Sequence, residues 1–232
     1  MEGGGTVDDS RWERAAGIGG ILFLVVVLVS AFLPGEPPST SDSAREIARW
    51  FLDKGDEIRY AGFLGVIATI PLVWWGASLF RMMERANGNA RLGVIAVVGL
   101  AVGAVAGCVG GVMSAAAAID AAILGPGGVR IFFLLSVNLN AVIGVGSALV
   151  AGSLAATVLR TGVLPRWLGW LGALVAGLSV LATGVTASTR DAVFVLSFVG
   201  MLSFLVLVLA VSILMLQGRT LDEPPELSRS ER

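Results

Sequence analysis

The chain has 232 residues, 56% hydrophobic and 14% charged, with a net charge of −1 and a mean hydropathy of +0.86. Soluble domains hold about 45–50% apolar residues, so a water-soluble fold could not bury this surface, and without a basic balance there is no case for a nucleic-acid partner. The lack of histidine removes the usual general base, imidazole metal ligand and imidazole proton relay, so neither a metal nor another cofactor is expected.

Six apolar segments dominate the sequence, each long enough to cross the ~30 Å hydrocarbon core of a bilayer as a helix. The expected fold is all-α, a polytopic bundle of six transmembrane helices with a short outer amphipathic helix between the first two. Residues 1–15 read as a cytoplasmic N-terminal segment, 16–216 as the membrane domain and 217–232, with two adjacent prolines and mixed charge, as a disordered cytoplasmic tail. The first span runs from Ala16 to Leu33, stopped by Pro34; it is long and lacks a small-x-small cleavage site, so it reads as an anchor and not as a signal.

In the following loop Ser43 and Glu46 have capping-box spacing, Gly55 offers a stop, and Ala44, Ile47, Ala48 and Phe51 make an apolar stripe opposite Arg45, Arg49 and Asp53. This short helix is expected on the outer membrane surface, as a lid packed on the bundle with no ligand rather than as a gate for a substrate. The second span, Tyr60 to Phe80, carries Pro71 and with it an expected kink, and the run from Arg81 to Arg85 stops it. The third, Leu92 to Ile119, is separated from the fourth, Ile131 to Leu159, by a hinge at Gly125, Pro126, Gly127 and Gly128. The fifth spans Leu168 to Ser188 and the sixth Ala192 to Leu216.

With an even number of spans, ten basic residues share the side of both termini and six lie on the other, four of them in one loop that also carries six acids. The positive-inside rule places both termini in the cytoplasm of a bacterial plasma membrane. Trp12, Trp74, Trp75, Trp167 and Trp170 fall at the same interface, and Trp50 and Tyr60 at the outer one.

Span three repeats small residues at Gly99, Gly103, Gly107 and Gly111, continued by Ala115, and span four at Gly144, Ala148, Gly152 and Ala156. Such stripes let backbones approach closely where hydrophobic drive is missing, so the two are expected to face each other or to form a homo-oligomer face. Asn140 extends the span-four stripe and is expected to bond to span three or five, whereas Asn138 and Ser136 sit on other faces of that helix. A sharper reading groups Ser136, Asn138 and Asn140 with Thr183, Thr186 and Ser188 in a small outward-facing polar pocket. Asp120 and Arg130, each with the sign its helix dipole disfavours, are expected to pair with each other or with Arg190 and Asp191. Cys108, the single cysteine, lies inside an apolar span and reads as a packing residue.

The loop entering span five contains Leu164-Pro-Arg-Trp-Leu-Gly-Trp-Leu-Gly172. Pro165 pre-sets a first helical turn, Arg166 stays on the positive side, and Trp167 and Trp170 anchor the interface. With the amphipathic segment before span two, this resembles a broad group of six-span bacterial integral membrane proteins classed as a domain of unknown function. The resemblance implies the six-span layout and carries no catalytic residues. No nucleophile and base share the spans, so the expected role is non-enzymatic, a structural or accessory protein acting through helix contacts with the bilayer, a membrane-protein partner or its own copies. The alternative is a carrier or receptor for a small neutral or lipid-like molecule held by polar groups of spans four and five.

Overall fold

A computed structural model describes residues 5–186 and 191–217; within them the side chains of 5–10, 13, 185, 186 and 191–197 lie outside the description. Among the described residues, secondary structure is helix and turn alone. The order is α1 (Gly5–Phe32), α2 (Ala44–Asp53), α3 (Gly55–Ile67), α4 (Thr69–Asn87), α5 (Arg91–Ile119), α6 (Ala121–Thr161) and α7 (Arg166–Ala182), then a 3-10 turn (Thr183–Thr186) and α8 (Asp191–Leu216). Five stretches are long and apolar enough to cross a membrane: Arg14–Phe32, Gly55–Asn87, Arg91–Ile119, Ala121–Thr161 and Phe198–Leu216. The α7 helix is apolar but shorter, at 17 residues. The chain therefore has the helices of a multi-pass membrane protein, with α2 as the one polar-faced helix among them.

Several boundaries differ from expectation for local reasons. Helix α1 begins at Gly5, so the helix that carries the apolar span Arg14–Phe32 extends upstream of it. The break between α3 and α4 falls at Ala68, three residues before Pro71, because a proline removes the donor to the carbonyl four residues back and crowds it. There the Thr69 hydroxyl donates to the Val66 carbonyl at 2.7 Å. Gly55 is the first residue of α3 and not the stop of α2; Lys54 alone separates the two helices. The expected four-residue hinge is narrower, since within α6 only Gly125 leaves helical geometry (φ 64°, ψ 175°). Pro126 reopens the helix where its missing N–H costs nothing. The expected tail lies outside the described residues beyond Gln217.

The apolar rods pack in chain order: α1 against α3 and α4, these against α5, then α5 on α6, α6 on α7 and α7 on α8. Helix α8 returns to α1, and the ring closes. One end carries the turns flanked by Arg81, Arg85, Arg91, Arg160 and Arg166, and the other carries α2. In the arginine half the interior is plugged by Phe23, Leu24, Leu72, Trp75, Leu100, Leu154 and Val211, all buried in one cluster. A polar clasp adds to it, because Asn87 Nδ2 donates to the buried Thr157 Oγ1 at 3.0 Å, joining α4 to α6.

At the opposite end α2 forms a second cluster. Ser43 caps it with both halves of the capping box, the Ser43 N–H donating to Glu46 Oε2 at 2.9 Å and the Glu46 N–H to Ser43 Oγ at 3.3 Å. Those bonds from Ser43 hold the Glu46 carboxyl below its usual range, so the cap is intact above that range and weakens as pH falls through it. Ile47, Ala48 and Phe51 are buried against Ala117, Ala121, Val129 and Phe133. The helix is thus packed on the bundle through its apolar stripe. Burying an Ile or Phe side chain is worth about 1.5–3 kcal/mol against water, which favours seating the ten-residue helix on α5 and α6.

Candidate binding site

The glycines meet in pairs that differ from the expected pairing. A Cβ built on Gly99 would stand 2.7 Å from the Gly146 carbonyl oxygen, and one on Gly146 would collide with the Gly99 carbonyl and lie 2.8 Å from Gly103 N. The α5–α6 crossing is thus made at Gly146, a position off the predicted stripe. That stripe turns to α7 instead: a Cβ on Gly144 would meet the Ser179 carbonyl at 3.0 Å, and one on Gly152 would meet Ala176 at 3.7 Å. Ala148 is half-buried on the same face. Gly111 faces α3, where a Cβ on Gly62 would stand 2.7 Å from the Gly111 carbonyl oxygen. Gly107 has only the Ile143 side-chain tip at 3.8 Å. It borders space.

That space is a cavity of about 370 Å³ inside the α2 half of the ring. Its walls are Ser30 and Ala31 of α1, Ile58, Ala61, Gly62 and Gly65 of α3, Gly107, Gly110, Gly111 and Ser114 of α5, and Ser136, Asn140 and Ile143 of α6. Trp50 and Phe51 of α2 close it over Phe133, the two phenyl rings meeting edge to face at 6.2 Å. No ionisable side chain lines it. The buried cluster of the arginine half follows Gly107 and Ile143 along α5 and α6, with Leu100, Val150 and Leu154 in it.

Its polar groups are few. Ser30 Oγ donates to the Ala61 carbonyl and Ser136 Oγ to the Phe133 carbonyl, each at 2.8 Å, which leaves lone pairs and no hydrogen toward the cavity. Asn140 is exposed into it and makes no side-chain hydrogen bond among the described residues. The expected bond to a neighbouring helix is absent because the interior face of α6 carrying Asn140 meets space at this level and no helix. No family model, curated protein or solved structure matches this chain. The site therefore has to be read from its own chemistry.

Of the predicted pocket residues, Ser136 and Asn140 come together. Asn138 does not join them: two residues along a helix is about 200° of rotation, so it lies exposed on the outer face, donating to its own Leu134 carbonyl at 2.8 Å. Thr183 sits on the α7 side, its methyl 3.4 Å from a Cβ built on Gly144 and its hydroxyl donating to the Val180 carbonyl at 2.6 Å. The Thr186 side chain and Ser188 lie outside the described residues. The residues the sequence reading missed are Ser30, Gly62, Gly65 and Ser114; Gly62 and Gly65 were legible only as a further small-residue pair.

The expected clasp of Asp120 and Arg130 is not formed; among the described residues the ion pairs are the local Lys54–Glu57, Asp56–Arg59 and Arg81–Glu84 contacts. Asp120 is at once the C-cap of α5 and the N-cap of α6, its carbonyl accepting from the Ile123 and Leu124 N–H groups. The α6 dipole favours the negative charge that the α5 dipole disfavours, so no counter-ion is required. Arg190 and the Asp191 side chain lie outside the described residues. The tryptophans divide as well: Trp167 and Trp170 are exposed, and Trp12 stacks on Trp74 at 5.5 Å, but Trp75 is wholly buried and serves the core.

Proposed function

We propose that this chain is a non-enzymatic membrane protein that binds a small neutral, largely apolar molecule in the cavity beneath α2, as a receptor or carrier. The observation that carries the reading is a half-open cavity with no ionisable side chain in its lining, into which Asn140 presents a carboxamide that makes no side-chain hydrogen bond among the described residues. The carboxamide can both donate to and accept from a ligand, and apolar walls with a few placed polar groups are the usual form of a small-molecule site. The plug below the cavity favours one-sided binding over conduction. A homo-oligomer built on the α5 glycine stripe has less support, because Gly99, Gly103 and Gly111 are spent on contacts within the chain.

The test is extraction and mass spectrometry of small molecules carried by the protein purified from membranes. Wild type is expected to carry a neutral compound in near-stoichiometric amount, and Gly107→Phe, which places a ring in the cavity from a position with clearance, is expected to lose it. Equal content in both proteins overturns the reading.

The same proposal sets the chain across a bacterial plasma membrane six times, with α2 outside and both termini in the cytoplasm. The ten-to-six division of basic residues supports this orientation, and α7 at 17 residues covers about 26 Å before the 3-10 turn extends it. In a Cys108→Ala background, Ser43→Cys is expected to react with an impermeant thiol reagent in intact cells and Asn87→Cys to be protected. The reverse pattern inverts the orientation.

A further inference from the structure

We propose that α2 is a detachable cover whose docking is coupled to occupancy of the cavity, so that a molecule bound beneath it changes how firmly α2 is seated; this rests on the binding reading above. The seat of α2 and the wall of the cavity are made by the same side chains. Phe51, Ile58 and Phe133 belong to the buried cluster that holds α2, and all three also line the cavity, with Trp50 and Val137 beside them in both. A ligand that lies against Trp50 and Phe51 buries apolar area that is there only while α2 is seated. It binds the docked state more tightly than the undocked one. A ligand with such a difference in affinity shifts the equilibrium toward docking, and docking raises the affinity by the same factor.

The attachment of α2 lets it leave its seat as a unit. Among the described residues no hydrogen bond or ion pair joins it to α5 or α6: Ser43 and Glu46 bond to each other, and Lys54 pairs with Glu57 of α3. Because the cap is made within its own first turn, α2 stays helical whether or not it is seated. On one side a strap, residues 33–43, contains Pro34, Pro37 and Pro38, with Gly35 in the left-handed region (φ 76°) and nothing packed where its Cβ would stand. The side-chain hydrogen bonds of this strap, among Ser39, Ser41 and Asp42, are internal. On the other side Lys54 is the single residue between α2 and α3. What seats α2 is its apolar stripe of Ile47, Ala48 and Phe51, none more than 5% exposed, while Arg45 and Arg49 face outward. A segment tied down by so few side chains opens locally without unfolding of the rest.

The experiment uses the full chain in lipid nanodiscs, in a Cys108→Ala background, with radiolabelled methylnaphthalene as a neutral apolar probe and an impermeant maleimide as the reporter of α2. Ala48→Cys places a thiol on the buried stripe and Arg49→Cys places one on the exposed face. The thiol of Ala48→Cys is expected to react at least about tenfold more slowly than that of Arg49→Cys, since it is reached only while α2 is undocked. Adding Phe133→Ala is expected to speed it about tenfold by removing part of the seat. Saturating probe is expected to slow it about threefold or more, and to leave it unchanged when Gly107→Phe is added. If the thiol of Ala48→Cys does not react at all, or reacts as fast as that of Arg49→Cys, α2 is not a detachable cover and the proposal is overturned. If the probe binds above the level of Gly107→Phe while the rate of Ala48→Cys stays the same or rises, the cavity binds ligands and the coupling is overturned. If Gly107→Phe changes nothing in the binding of the probe, the binding reading falls and the coupling with it.

Discussion

Gly146→Leu is expected to destabilise the protein by about 3 kcal/mol, the upper part of the usual cost of overpacking, while Gly107→Leu costs less than about 1 kcal/mol. Both glycines lie at the α5–α6 interface, so the contrast isolates backbone contact from mere proximity. A Cβ on Gly146 has nowhere to go: the obstacles are the Gly99 carbonyl and the Gly103 backbone, which cannot rotate aside as a side chain can. In a bilayer the loss is of close packing and of weak Cα–H contacts, since lipid is as apolar as leucine and no hydrophobic gain offsets it. A Cβ on Gly107 touches only the tip of Ile143, and a leucine there extends into the cavity. Denaturation of the two purified variants in detergent separates the cases. Equal loss of stability would return the crossing to the four-residue stripe of α5, and a stable Gly146→Leu would mean that the two helices do not touch.

The elements were legible because a bilayer leaves few choices. Apolar runs of this length must be helices, and arginine clusters, Pro126, Pro165 and the Ser43–Glu46 spacing mark ends by local chemistry that needs no tertiary context. Packing partners were another matter. The periodicity of Gly144, Ala148 and Gly152 reports a flat face and says nothing of which neighbour it meets; α7 has the matching small residue in Gly172, whose Cβ would lie 3.0 Å from the Ala151 carbonyl. Gly146, the true contact, stands alone on its face and so gave no pattern. The cavity was legible only through Ser136 and Asn140, because its other walls come from α1, α2 and α3 and meet α6 only when the ring closes. Asn138, two residues from Asn140, is parted from it by helical rotation alone, so that much of the site was legible without tertiary context.

Trp75→Ala is expected to cost about 3–5 kcal/mol, as for large aromatic truncations in a packed core, while Trp75→Phe stays within about 1 kcal/mol of wild type or gains on it. Trp75 is among the largest fully buried side chains and lies between α1 and α8, where Gly20 makes room for it: a Cβ on Gly20 would collide with Ser212 Oγ and stand 2.6 Å from Trp75 Cδ1. Its bulk is what fills the ring interior at the arginine end. Its indole N–H, by contrast, is buried without a hydrogen-bond partner among the described residues, the Ser212 hydroxyl being given to the Val208 carbonyl at 2.7 Å. Phenylalanine removes that orphan donor and keeps most of the volume, so the desolvation cost it relieves offsets the packing it loses. Alanine opens a void that neither lipid nor water fills well. Unfolding of both variants in detergent reads the difference. Comparable damage from the two substitutions would show that the indole N–H is not an orphan donor and that its partner contributes as much as the ring's bulk.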